Sequence, residues 1–149
     1  MIAAGSDDPY VYYHIGATYK SLQRAPEARA ALHRALAAGE EALGHETADL
    51  AHMKLAQLAL ADNELVGAVR HAEASLTADP DNLLSLHVLA LALLFQGQVE
   101  KAYPLFSRIR ASAGERIEDT TKLDAVLAHC RGILDVEAVR MRRGSTANE

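Results

Sequence analysis

One spacing, recurring three times, constrains what this chain can fold into more than any other feature. Tyr12-x-x-Ile15-Gly16-x-x-Tyr19 is followed by Ala28-x-x-x-Leu32-x-x-Ala35. His52-x-x-Leu55-Ala56-x-x-Ala59 is followed by Ala68-x-x-x-Ala72-x-x-Ser75, and Leu86-x-x-Leu89-Ala90-x-x-Leu93 by Ala102-x-x-x-Phe106-x-x-Ile109. In every copy the small residue of the first half (Gly16, Ala56, Ala90) precedes that of the second (Ala28, Ala68, Ala102) by 12 positions. Residues spaced by 3, 1 and 3 share one face of a helix, and a small residue within that stripe lets a second helix come close. Each copy therefore reads as an antiparallel helix hairpin. Its outer apolar face stays unsatisfied until another hairpin stacks on it.

Residue usage agrees with helices throughout. Hydrophobic residues make up 50% of the chain and aromatics only 5%, the excess being Ala and Leu, both strong helix formers. No segment alternates apolar with polar residues over a strand's length, so the fold class is all-α. Breakers separate the helices: Ala25-Pro26, Asp62-Asn63 and Gln96-Gly97 within hairpins, and Gly44, Asp79-Pro80-Asp81-Asn82 and Gly114 between them. Helices are expected at about 9–23, 26–43, 47–61, 64–78, 82–95 and 98–112.

These residues carry a resemblance. The pattern resembles the tetratricopeptide repeat (TPR), a 34-residue helix-turn-helix with a large-large-small-large first helix and a second helix closed by Pro. Pro80 closes the second copy, and the third begins 34 residues after the second. The first copy is longer by about 6 residues, and its stretch Ala35 to His45 is similar to the extended second helix of the kinesin-light-chain variety. Ala102-Tyr103-Pro104-Leu105-Phe106 also resembles that variety, with Pro104 expected near the helix start, where a missing donor is tolerated. Four positions depart from the pattern: His52 and Leu86 where a large aromatic is usual, Ser75 and Ile109 where Ala is usual. The resemblance implies a right-handed superhelix of three repeats, at 9–48, 49–82 and 83–114. Beyond them Leu123, Val126, Leu127, Cys130, Ile133 and Leu134 fall on one helical face, which reads as a C-terminal capping segment within 115–143, helical from about 118 to 131 and on past Gly132. Residues 1–8 read as disordered or as the remnant of a preceding repeat, and 144–149 as a disordered tail.

Chemistry finds little footing. Seven histidines are scattered, none paired at i+3 or i+4 with another, and no zinc spacing, phosphate loop, nucleophile elbow or Cys-x-x-Cys is present. His129 and Cys130, being adjacent, point about 100° apart on a helix and make no thiolate-imidazole pair. The expectation is no enzyme, no metal, no cofactor and no small-molecule substrate. Net charge is -5 with the signs interspersed, which argues against a nucleic-acid surface. The longest apolar run, Leu83 to Phe95, is too short for the roughly 20 residues that span a bilayer, so no membrane partner is expected. The N-terminus shows no secretory signal, and a single cysteine fits a reducing compartment; the expected location is cytoplasmic.

A concave groove is what the resemblance implies for function, built from first-helix residues offset from the packing stripe. These are Tyr10, Tyr13, Ala17 and Lys20; Leu50, Met53, Gln57 and Leu60; Leu84, His87, Leu91 and Leu94. The set is mostly apolar and suits an apolar helix or extended segment of a protein partner, in the manner of an adaptor or chaperone. Only Lys20 and Gln57 approach a carboxylate-gripping pattern. A second reading stays open, because the fifth helix is apolar all round: the groove is covered by the chain's own C-terminal helix or by a second subunit, and the chain is a structural, regulatory or homo-oligomeric piece of a larger assembly.

Overall fold

The computed structural model describes residues 7–113 and 121–147. The expectations for residues 1–6, for Gly114 and the start of the capping segment to 120, and for 148–149 lie outside them. Within them the fold is all-helical: α1 Pro9–Ser21, α2 Ala25–Ala37, α3 Glu40–Leu43, α4 His45–Ala61, α5 Leu65–Ala78, α6 Leu83–Phe95, α7 Val99–Ala113 and α8 Thr121–Ala147. The pairs α1/α2, α4/α5 and α6/α7 are the three hairpins, and they stack into a helical-repeat superhelix. The small residues fall where the spacing puts them, with Gly16 and its partner Ala28, Ala56 and Ala68, and Ala90 and Ala102 all buried.

All three hairpins turn by the same device. Arg24 N–H donates to Tyr19 C=O and Gln23 N–H to Lys20 C=O; Glu64 and Asn63 do the same to Ala59 and Leu60, and Gln98 and Gly97 to Leu93 and Leu94. This is the Schellman motif, whose C′ residue is left-handed, and Gln23, Asn63 and Gly97 have φ of 59°, 59° and 79°. The first break therefore falls at Gln23, two residues before the expected Ala25-Pro26. Pro26 lies instead in the first turn of α2, where its missing N–H costs nothing.

The second helix of repeat 1 is not extended to 43. It stops at Ala37 because Gly39 takes φ 92°, a conformation closed to a continuing helix. The extra residues form the short α3, which ends at Gly44, also at φ 92°, and drops Leu43 into the core of the first repeat. Pro104 lies deeper in α7 than the first turn and removes the N–H that would bond the Glu100 carbonyl. At the far end α8 continues to Ala147 instead of giving way to a disordered tail at 144.

Ser75, a departure from the repeat pattern, has a structural reason. Its hydroxyl donates to Asp49 Oδ1 at 2.6 Å and lies 2.7 Å from Ser85 Oγ, linking α4, α5 and α6 at the junction of repeats 2 and 3. Both serines are fully buried. Ser75→Ala leaves Ser85 and Asp49 without this partner and is expected to cost about 1–2 kcal/mol, read by urea denaturation. A neutral result would mean the junction is held by packing alone.

Candidate functional site: the concave first-helix face

Curvature follows from which helices meet across repeats. Among the described residues α1 approaches α4 and α4 approaches α6, whereas α2 and α5, like α5 and α7, make no close backbone approach. The first helices thus crowd together and the second helices splay, which places α1, α4 and α6 on the inner wall. Apolar side chains stand open on that wall: Tyr10 (50% exposed), Leu50, and Leu84 (54% exposed). Ala17, Lys20, Gln57, Leu60, Leu91 and Leu94 are half-buried along it.

Tyr13 and Met53 differ from the expectation of open groove residues, since both are buried. Met53 Sδ accepts a 3.6 Å contact from Asn82 Nδ2, the side chain that also caps α6 through the N–H groups of Leu84 and Ser85. Tyr13 packs edge-on against His14 and beside Tyr10, and burial, then the neighbouring Tyr10, raises its phenol above the usual range. Lys54, on the same helix as Met53, has its ammonium pKa lowered by burial and then by nearby Lys20.

The wall ends in a cleft. α8 packs on α7 and makes no close backbone approach to α6. The gap of about 310 Å³ is lined by Leu84, His87, Leu91, Phe106, Leu123 and Val126, with Lys122 at its edge. His87 meets solvent on one side, yet desolvation by these apolar walls lowers its imidazole pKa. The fifth helix of the sequence reading, α6, is therefore apolar all round without being covered all round: Leu84 and Phe95 (60% exposed) face out. Cys130 is buried against the same core, and burial pushes its thiol up, as suits a packing residue.

A cluster that the sequence reading missed lies behind the wall, where His33 of α2, His52 of α4 and His71 of α5 converge. His52 Nδ1 and His71 Nδ1 are 3.1 Å apart, and the His33 ring centroid is 5.7 Å from that of His71. The only signal was His52 in a packing stripe, because the other two come from different helices. Among the described residues no group of three or more His, Cys, Asp or Glu is arranged to hold a metal.

No family model and no curated protein matches the sequence. Solved structures do. The chain is similar to the C-terminal TPR-containing domain of a Plasmodium falciparum protein described as FK506-binding, with a TM-score of 0.75 at 16% identity, over 92% of this chain and 97% of that one. It is also similar to the Hsp90 co-chaperone Cns1 from Saccharomyces cerevisiae, with a TM-score of 0.73 at 14% identity, over 94% of this chain but only 44% of that one. With its three Schellman-turned hairpins and paired small residues, the chain has the fold of TPR-containing domains.

Proposed function

We propose that this chain is a non-enzymatic protein-interaction module that binds a partner polypeptide, an apolar helix or extended segment, along α1, α4 and α6. The observation that carries this reading is the apolar cleft between α6 and α8 at the end of a wall with Tyr10, Leu50 and Leu84 exposed. A cleft of about 310 Å³ walled by Leu and Phe takes large apolar side chains, the anchors that dominate peptide recognition. One structural neighbour is an Hsp90 co-chaperone, which is in keeping with an adaptor or chaperone role. No helix among the described residues is long and apolar enough to cross a membrane, and a lone buried thiol suits a reducing compartment such as the cytoplasm.

The test is selection from a displayed peptide library, repeated with Leu84→Glu. Leu84 lies in the first turn of α6, where an acid is favoured by the helix dipole, so the variant should keep its stability within about 0.5 kcal/mol. Peptides with spaced large apolar residues should be enriched by the native chain and bind the variant at least about 100-fold more weakly, since the new carboxylate would be desolvated without a partner. Enrichment that ignores the substitution would refute the reading. Dissociation of an oligomer by Leu84→Glu, seen by light scattering, would instead assign the face to a second copy of the chain.

A further inference from the structure

We infer that His52 and His71, which meet across the second hairpin with His33 of the first repeat beside them, form a pH-sensitive latch, closed while both imidazoles are neutral and opened by protonation.

Geometry sets the proton requirement. At 3.1 Å, the His52 and His71 Nδ1 atoms can share one hydrogen, so one ring donates and the other accepts. Two protonated rings would aim two N–H groups at each other. The His33 ring lies tilted beside that of His71, 5.7 Å between centroids. The facing charges come from every element around the cluster: Arg29 from α2, Glu40 from α3, Asp49 from α4 and Arg70 from α5. Asp49, which accepts from the Ser75 hydroxyl at 2.6 Å, and Glu40 both favour a charged His52, but burial outweighs them. No carboxylate favours a charged His71, which is nearly buried and feels His52, Arg70, His33 and Arg29, the last already paired with Asp62 and Glu64.

Electrostatics point the same way. Burial first, then the neighbouring His52 and the more distant Arg70, His33 and Arg29, hold His71 at about 4 against an ordinary 6.5, and burial lowers His52 as well. The folded chain therefore resists a proton that the unfolded chain accepts. Stability is complete above about 6.5, falls as pH drops below it, and the loss is finished only near 4. For His71 alone the folding equilibrium constant should fall about 25-fold between pH 7 and pH 5.

The decisive measurement is an NMR titration of the imidazole carbons of the whole native chain, with amide hydrogen exchange at pH 7 and 5. His71 should stay neutral below pH 5, and amides of α2, α4 and α5 should lose protection at pH 5 before those of α6 and α7. In denaturant series, His71→Gln and His52→Gln should each flatten the fall in stability between pH 7 and 5. A His71 that titrates near 6.5, or protection lost evenly along the chain, would overturn the latch. So would an unchanged pH dependence in both variants; should they not fold, the native titration decides.

Discussion

Phe106→Ala is expected to remove about 3–5 kcal/mol of stability. Among the described residues Phe106 is the bulkiest of the fully buried side chains, 1% exposed, and it packs α7 into the core shared with Leu86, Leu89, Ile109 and Cys130. Truncation removes the transfer free energy of a benzyl group and leaves a void that its neighbours fill only in part. The void would join the cleft between α6 and α8, whose floor Phe106 forms. Urea denaturation followed by far-UV circular dichroism gives the loss, and an unchanged m value would show that the two-state comparison holds. Phe95→Ala is the matched control: Phe95 is exposed and its loss should stay within about 0.5 kcal/mol. A Phe106→Ala loss below about 1.5 kcal/mol would mean that α8 swings in to fill the space, and that the cleft is a soft feature of the fold.

How far the sequence reaches is set by the range of the interactions involved. The packing stripes are local and periodic, so Gly16, Ala28, Ala56, Ala68, Ala90 and Ala102 could be placed from spacing alone, and all are buried. The spacing puts the turn after α1 too late because Gln23 is no turn former; it is left-handed because two Schellman hydrogen bonds close around it. The end of α2 was misplaced because Gly39 sits in an Ala-rich run that otherwise favours helix. Tyr13 and Met53 were assigned by their offset from the hairpin partner, a reading that takes no account of neighbouring repeats; Met53 is covered partly by Asn82, from the cap of the next repeat. The approach of His33 to His71 depends on the same inter-repeat register, as does Arg29, which reaches from α2 to Asp62 at 3.1 Å and Glu64 at 2.8 Å in the next hairpin's turn. Spacing within a repeat is legible; what one repeat does to the next is not.

Gly16→Val tests the register at its tightest point and is expected to cost on the order of 3 kcal/mol, the upper part of the range for overpacking. Repeat equivalence alone would call a side chain here harmless, because the matching positions are Ala56 and Ala90. The difference lies across the hairpin. A Cβ on Gly16 would stand 2.6 Å from Leu32 Cγ, 2.9 Å from its Cδ2 and 3.2 Å from the Ala28 carbonyl oxygen. Leu32 has no exposure to retreat into, and the carbonyl belongs to the backbone of α2. Size is thus apportioned between the two helices of the first hairpin, a glycine on α1 making room for a leucine on α2. Adding Leu32→Ala should return part of the loss, a coupling of at least about 1 kcal/mol in a double-mutant cycle, because the two changes share one space. Gly67→Ala gives the opposite sign: its Cβ would meet only Ala59 Cβ at an ordinary 3.8 Å, and better helix propensity should stabilise by about 0.5 kcal/mol. Thermal melts of the four variants settle the matter, and a neutral Gly16→Val would break the assignment of the first hairpin.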